Sequence, residues 1–270
     1  MIRVFPRKTA WTPTDELAFV GDPPLFRPPE QPVMVSVTFT WDIPEGERLA
    51  RAWAGYYNDV QIGGPAFGDA GAEFVPGRFL KDGVTITSRG CPNRCGFCHV
   101  PKREGQIREL DVKPGSIIQD NNLLACSRQH IERVFTMLRQ QQQPINFNGG
   151  IESRLFFGWH RKLLDTIRLG EIWFACDTKA ALYDLEAVAW LMNGIPRSKK
   201  RCYVLIGKDE SIEQAEDRLI KVYRLGFDPF AQLYQPEKPI EYPKEWKNLN
   251  RTWSRPAAYR AREKQTHVGA

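Results

Sequence analysis

An alternation of two sequence patterns constrains the fold of this chain more than any other feature. From residue 83 onward, short runs rich in β-branched and aromatic residues alternate with segments whose apolar residues recur at helical spacing. Six alternations of this length predict an α/β fold in which parallel strands are joined by helical crossovers. The strand candidates are GVTITS (83–88), GSIIQD (115–120), INFNGG (145–150), EIWFACD (171–177), RCYVLIG (201–207) and FAQLYQP (230–236).

The first 80 residues follow a different pattern. They contain a proline-rich stretch, GDPPLFRPPEQP, followed by one strand, VMVSVTF, one helix at about 45–57 and a second strand, DVQIGGPA. The pair Gly63-Gly64 lacks the rest of a dinucleotide-binding fingerprint, which favours a tight turn over a phosphate loop. We therefore predict a small α/β preface (1–80), a core (81–236) and a C-terminal extension (237–270).

Composition narrows the class of protein. The chain is 42% hydrophobic and 26% charged, which is typical of a folded domain. Its start, MIRVFPRKTAWTPTDE, has no signal-peptide pattern, and no segment approaches the roughly 20 apolar residues of a membrane span. We expect a soluble cytoplasmic protein without a membrane partner, in which cysteines stay reduced and a tight cysteine cluster serves metal or redox chemistry.

Three of the six cysteines lie together in TSRGCPNRCGFCHVP, directly after the first strand of the alternating series. A structural zinc site commonly takes four ligands from two cysteine pairs. The other cysteines are isolated in the sequence: Cys126, Cys176 and Cys202. His99 is a candidate fourth ligand, but its adjacency to Cys98 makes a tetrahedron hard to close. Three thiolates in one loop favour a cubane iron–sulfur cluster with one iron left open.

The spacing C-x-x-x-C-x-x-C, with Phe97 just before the last cysteine, resembles the radical S-adenosylmethionine (SAM) superfamily over about 82–236. The resemblance implies a partial (β/α)6 TIM-like barrel and a 4Fe-4S cluster on Cys91, Cys95 and Cys98, whose open iron binds SAM. It also implies reductive cleavage of SAM to methionine and a 5′-deoxyadenosyl radical that abstracts a substrate hydrogen atom. Phe97 would lie near the adenine, and an external flavodoxin or ferredoxin would donate the electron.

Residues at a later strand end extend the resemblance. In FNGGIES, Gly149 and Gly150 look like the family's glycine-rich motif that receives the SAM ammonium. The usual motif is a compact GGE, whereas Ile151 is inserted here before the carboxylate partner, Glu152. Arg154 would hold ribose hydroxyls or the SAM carboxylate, and a structural salt bridge is the alternative interpretation.

A second element, YVLIGKDE, is similar to the family's G-x-I-x-G-x-x-E, which borders the adenine. Tyr203 replaces the first glycine and Leu205 the isoleucine, whereas Gly207 is retained. Asp177 would also hold ribose hydroxyls or the SAM carboxylate, again with a structural salt bridge as the alternative. All of these residues fall at predicted carboxyl ends of strands, where barrels of this kind carry their chemistry.

The order of elements, with QDNN after the second strand and IGGPA closing the preface, is similar to the branch of cobalamin-dependent enzymes and tRNA methylthiotransferases. The chain has no D-x-H-x-x-G, so the preface looks like a shrunken cobalamin domain without a lower cobalt ligand. No cysteine precedes Cys91 and none follows Cys202, which leaves no ligands for a second cluster. The resemblance therefore implies an enzyme with a single cluster.

Charge bears on the substrate. The net charge is +6, and residues 241–270 carry seven basic and three acidic residues interleaved with Trp246, Trp253 and Tyr259. This extension either holds an anionic polymer or is a strap whose aromatic side chains pack on the domain. Together with the basic run 197–201 and a similarity to phage-encoded proteins, it favours a nucleobase or nucleotide substrate, free or within DNA or RNA.

Two other functions stay open. The chain would act on a small metabolite or peptide if the extension is only a strap. It would be a non-catalytic iron–sulfur module, sensing redox state or holding nucleic acid, if the elements at 149–152 and 203–210 did not bind SAM. Cys126 is a candidate catalytic hydrogen-atom donor, with a core cysteine at a helix start as the alternative.

Overall fold

The computed structural model describes residues 1–71, 73–236 and 240–267, the last six of these by their backbone alone. It confirms a mixed α/β fold with parallel sheets. The chain divides into two compact units, Met1–Asn121 and Asn122–Ala270. The division into preface, core and extension stays a prediction.

A parallel four-stranded sheet begins the first unit. Its strands lie in the order β2-β1-β3-β4, and the sequence had predicted only the last two of them in chain order. Alternate apolar side chains of β1 and β3 are buried against the apolar face of the helix between β3 and β4. The elements are β1 (Ile2–Phe5), β2 (Ala18–Val20), β3 (Val33–Ser36), α1 (Ile43–Ala54) and β4 (Val60–Gly63).

The rest of the first unit consists of short elements. The predicted strand 83–88 is two strands, β5 (Val84–Thr85) and β6 (Ser88–Arg89), and the strand predicted at 115–120 is β8 (Ile117–Ile118). β5 pairs with β8 in parallel, and β6 pairs antiparallel with β7 (Arg108–Glu109). A single-turn helix, α2, spans Val100–Arg103.

The second unit follows the predicted alternation closely. Its strands form a parallel sheet in the order β12-β11-β10-β9, joined by helical crossovers. Helix starts carry side-chain caps: Ser127 accepts from the His130 N–H, and Ser211 and Gln214 cap each other. The elements are α3 (Arg128–Leu138), β9 (Ile145–Ile151), α4 (Gly158–Leu164), β10 (Leu169–Ala175), α5 (Ala181–Leu191), β11 (Lys200–Ile206), α6 (Ile212–Arg224) and β12 (Asp228–Leu233).

The C-terminal extension is helical. It forms α7 (Lys244–Trp253) and α8 (Pro256–His267), and the aromatic rings of Trp253 and Tyr259 are buried and stacked with centroids 5.2 Å apart. Packing is thus confirmed for these two aromatic side chains, whose faces are not available to nucleic-acid bases. Within the described residues, no helix has the length and apolarity needed to cross a membrane.

Candidate functional site

The cysteine loop, residues 90–99, connects β6 to α2. The Cys91 and Cys98 side chains are half-buried, and Cys95 is exposed. The Cys98 N–H donates to the Cys95 carbonyl at 3.0 Å, which makes a tight turn of the last two cysteines. The Cys91 N–H donates to the Gly105 carbonyl, also at 3.0 Å, so the chain returns to the start of the loop soon after α2.

A buried carboxylate fixes the strand that enters the cysteine loop. Asp120 is 2% exposed and accepts hydrogen bonds from the Thr87 N–H and hydroxyl, each at 2.6 Å, and from the Ser88 hydroxyl at 3.0 Å. Burial raises the pKa of Asp120, and these hydrogen bonds oppose that rise. The carboxylate therefore accepts hydrogen bonds from polar groups of Thr87 and Ser88 that are buried from solvent.

A second buried carboxylate, Glu104, closes the loop from its far end. It pairs with Arg103 at 2.5 Å and accepts from the Gly90 N–H at 3.3 Å. Gly90 has a φ of +81°, and a Cβ atom there would lie 2.1 Å from the Gln106 carbonyl oxygen. Glycine is therefore required at the base of the cysteine loop.

The donor chemistry of the loop fits an iron–sulfur cluster, because three thiols lie within eight residues of one irregular segment. The side chains are not arranged as ligands of a common ion: the described residues contain no group of three or more His, Cys, Asp or Glu that could hold a metal. His99, the candidate zinc ligand, is exposed at the start of α2, and Phe97 is half-buried. The cluster assignment consequently rests on residue type and spacing.

The candidate SAM-binding residues of the second unit form what we call the strand-end site, at the carboxyl ends of β9, β10 and β11. Near the end of β9 the register shifts: Phe147 pairs with Ile172, but Ile151 pairs with Phe174. Two extra residues are therefore accommodated in β9 between these pairs, and the bulge contains Gly149, which is exposed, and Gly150, which has a φ of +86°. The bulge brings the glycine backbone out of the ladder at one edge of the sheet.

Glu152 follows the bulge and is held from two sides. Its carboxylate accepts from the Asn122 amide at 2.6 Å and from the Arg154 guanidinium at 2.7 and 2.9 Å. The Arg154 side chain is largely exposed, whereas that of Glu152 is 18% exposed. The structural salt bridge considered for Arg154 is thus present, with Glu152 as its partner.

Asp177 lies between the neighbouring strand ends. Its carboxylate accepts from the Leu205 N–H at 3.0 Å, and burial raises the pKa of Asp177. The Tyr203 hydroxyl donates to the Asn148 carbonyl at 3.1 Å, which ties β11 to the β9 bulge. Four predicted positions, at 149–150, 177 and 205, therefore lie on adjacent strands of one sheet edge.

The turn after β11 is covered by Tyr242, which the sequence did not single out, and is anchored through Glu210, the last residue of the YVLIGKDE element. Gly207 has a φ of +82°, and a Cβ atom there would lie 2.8 Å from the ring of Tyr242, whose hydroxyl donates to the Tyr234 carbonyl at 2.7 Å. Glu210 and Arg218 form a buried bidentate ion pair at 2.6 and 2.9 Å. An arginine on the apolar face of a helix was the available signal for this pair.

The remaining cysteines differ in burial. Cys176 and Cys202 are fully buried, as expected for core cysteines, and burial raises the pKa of Cys176 to about 12. Cys126 is half-buried and ends a short 3-10 helix just before the Ser127 cap of α3. Its position at a helix start agrees with the structural alternative, and its partial exposure leaves the predicted catalytic role untested.

The basic run 197–201 is largely engaged within the second unit. Arg197 lies over the Tyr223 ring, and Arg201 lies over the Trp173 ring. The Lys199 ammonium donates to a backbone carbonyl, and Lys200 is 7% exposed, so burial lowers its pKa. Most of this run therefore packs on the unit and does not present a free basic surface.

No protein-family model matches the chain, and no curated protein matches it in sequence.

Proposed function

We propose that the chain is a radical SAM enzyme with a single 4Fe-4S cluster on Cys91, Cys95 and Cys98. The observation that carries the proposal is the C-x-x-x-C-x-x-C triplet in a loop that directly follows a strand and is anchored at both ends. A bound cluster would supply the electron that cleaves SAM to methionine and a 5′-deoxyadenosyl radical. The (β/α)6 partial barrel belongs to the same proposal.

The strand-end site offers groups suited to SAM. The backbone of Gly149 and Gly150 lies outside the ladder and is free of side chains, which suits close approach of a ligand. The Glu152 carboxylate would pair with the SAM ammonium, and Arg154 would then be released toward the SAM carboxylate. Asp177, held by Leu205, would accept from the ribose hydroxyls.

A nucleobase or nucleotide, free or in a nucleic acid, is the substrate class that we propose. The support comes from α7, where Lys244, Lys247 and Arg251 are exposed at spacings of three and four residues and so share one face. Such a stripe suits contacts with phosphates. The side chains of Arg262 and Lys264 lie outside the described residues.

Anaerobic reconstitution with iron and sulfide, followed by reduction and addition of SAM, tests the enzymatic proposal. We expect 5′-deoxyadenosine, detected by chromatography, from the wild type and none from Cys95→Ala. Arg94→Ala is the matched control, because Arg94 is an exposed neighbour in the same loop and carries no thiol. Glu152→Gln should suppress the same product without loss of iron.

The alternative functions predict different results. A cluster that assembles without any SAM cleavage, even with nucleotides and nucleic acids present, would favour the non-catalytic iron–sulfur module. If 5′-deoxyadenosine forms but no nucleic acid or nucleotide binds, the small-metabolite or peptide alternative is favoured. A steep loss of nucleic-acid binding with added salt, reduced in a Lys244→Ala/Lys247→Ala variant, would support the phosphate contacts of α7.

A further inference from the structure

Three arginines of the first unit lie together at the base of the cysteine loop. Arg89 in β6 and Arg108 in β7 are directly opposite each other in the antiparallel pair. Arg103, at the end of α2, and Arg89 both approach the Glu104 carboxylate, at 2.5 and 3.8 Å respectively. We call Arg89, Arg103 and Arg108 the arginine cluster.

The positive charge of the arginine cluster is not balanced. Glu104 is the carboxylate that Arg89 and Arg103 share. The Arg108 guanidinium donates to the carbonyls of Ala70 and Gly71 at 3.0 and 3.2 Å, and it has no carboxylate partner within the described part of the chain. Like charges directly opposite each other on paired strands are destabilising. An anion held between the guanidinium groups would relieve that repulsion.

The guanidinium groups of the cluster are fixed and remain within reach of solvent. Gly71 packs directly against Arg89, whose Nε would lie 2.5 Å from a Cβ atom at that glycine. This Nε is buried and has no hydrogen-bond partner among the described residues. The Arg89 and Arg103 side chains are 21% and 27% exposed, and Arg108 is exposed. An anion can therefore approach donors that are already in place.

The charge around the cluster contrasts with that of the rest of the first unit. Residues 89–108 contain five basic residues and one acidic residue, whereas the other residues of the unit contain nine basic and fourteen acidic ones. The summed charge of a surface attracts ligands of the opposite sign to it. An anion that reaches the first unit is thus attracted to this segment and repelled by the remainder.

We propose that the arginine cluster binds a phosphate group, either the 5′-phosphate of a nucleotide or a backbone phosphate of a nucleic acid. Guanidinium groups match phosphate oxygens in bidentate pairs. A phosphate monoester presents three acceptor oxygens and about two negative charges at neutral pH. These suit three guanidinium groups that share one carboxylate better than the two oxygens and single charge of a carboxylate ligand would.

The position of the cluster deepens the proposed function. Arg89 is two residues before Cys91, and the Cys91 N–H is bonded to the Gly105 carbonyl, next to Glu104. A phosphate on the cluster would therefore bring the attached nucleoside to the cysteine loop. This last step rests on the proposed function, whereas the phosphate site itself does not depend on iron or on SAM.

Titration of the full-length chain, purified without iron or sulfide, with uridine and with uridine 5′-monophosphate tests the phosphate site through backbone amide NMR signals. The monophosphate should bind about tenfold more tightly than the nucleoside or better, and should shift the amides of residues 70–71, 88–90 and 103–109. Arg108→Gln removes one charge from an exposed position and should weaken that binding by about tenfold. Arg51→Gln, an exposed arginine of α1 outside the cluster, should bind as the wild type does.

A single-stranded uridine decanucleotide distinguishes the two sources of phosphate. Tighter binding than that of the monophosphate would assign the site to a nucleic-acid backbone. The slope of log affinity against log salt concentration should then fall by about 0.7 in Arg108→Gln, because one phosphate contact is lost. Binding no tighter than that of the monophosphate would assign the site to a free nucleotide.

Three results would overturn the phosphate site. These are equal affinities for uridine and its monophosphate, equal affinities for succinate and the monophosphate, and equal binding by the Arg108→Gln and Arg51→Gln variants. Because no iron, sulfide or SAM is added, such a failure would leave the radical SAM proposal standing. Conversely, an absence of 5′-deoxyadenosine after reconstitution would leave the phosphate site standing.

Discussion

The cysteine loop and the strand-end site hold their candidate groups in opposite ways. In the cysteine loop the thiols are half-buried or exposed, and two buried carboxylates, Asp120 and Glu104, anchor the ends of the segment. In the strand-end site the ladder of a parallel sheet sets the positions, and a buried ion pair, Glu210 with Arg218, holds the turn after β11. One region depends on side-chain anchors, and the other depends mainly on backbone pairing.

This difference has a physical consequence for function. An irregular loop can change the positions of its side chains at a smaller cost than a sheet edge can, because fewer ladder hydrogen bonds need to break. The edge of a sheet is already in place before a ligand arrives. We therefore expect the thiols to be gathered by what they bind, whereas the strand-end site is preformed.

The largest effect on stability should come from Arg218→Met in the second unit. The substitution leaves the Glu210 carboxylate buried without its partner and removes a bond to the Leu205 carbonyl. Loss of one partner of a buried pair costs about 3–5 kcal/mol. Urea unfolding measures the loss, and Arg224→Met, exposed near the end of the same helix, should be close to neutral. A similar small loss in both variants would show that the pair does not anchor this turn.

Asp120→Ala should destabilise the first unit by about 2–3 kcal/mol, because three buried donors on Thr87 and Ser88 lose their acceptor. Asp111→Ala, an exposed carboxylate, is the matched control. Hydrogen exchange of the amides of residues 87–91 should accelerate only in the Asp120 variant. Unchanged exchange there would contradict the role of this carboxylate as the anchor of the cysteine loop.

The contribution of Asp120 to the stability of the folded chain should change with pH in one direction. Since burial raises the pKa of Asp120, the folded chain retains that proton to higher pH than the unfolded chain does. The contribution of this group to stability is therefore present at low pH and falls as the pH rises through the raised pKa. Asp120→Asn should remove that part of the pH dependence.

The sequence predicted the second unit better than the first, for physical reasons. Strands buried on both faces and helices with one apolar face leave clear periodic patterns, so β9 to β12 lie within a few residues of the predicted runs. In the first unit, β1 and β2 are short runs without that contrast. The tight turn predicted at Gly63-Gly64 agrees with the φ of +108° at Gly64.

The site was predicted only in part. The sequence motifs identify candidate ligands at the strand ends. The residues that hold these ligands in place are distant in the sequence, and no local pattern connects the two groups. Tyr242 contacts Gly207 across 35 positions, and Asp120 reaches Thr87 across 33. In the extension, Leu249 and Trp253 bury one face of α7, and the packing expected for its aromatic side chains is confirmed at Trp253 and Tyr259.

A smaller effect on stability is expected for His160, a residue of the second unit. His160 is 3% exposed, and burial lowers its pKa to about 4. Because the unfolded chain binds this proton below about pH 6.5 and the folded chain binds it only below about pH 4, stability should fall as the pH drops through this range. His160→Phe should flatten this slope, and His99→Phe, an exposed position, should retain it. Equal slopes in wild type and His160→Phe would exclude this histidine as the source.

The smallest effect on stability, and the one that separates the two regions most clearly, is expected for the thiols of the cysteine loop. Cys95→Ala changes an exposed side chain, so the free energy of unfolding of the metal-free chain should shift by less than about 0.5 kcal/mol. Cys202→Ala, in a fully buried position of the second unit, should cost more stability but leave iron binding after reconstitution intact. Iron analysis and urea unfolding of the two variants measure both quantities. If Cys95→Ala destabilised the metal-free chain as much as Cys202→Ala, the thiol would be part of the packing of the first unit, and a loop free to gather around its ligand would be the wrong description.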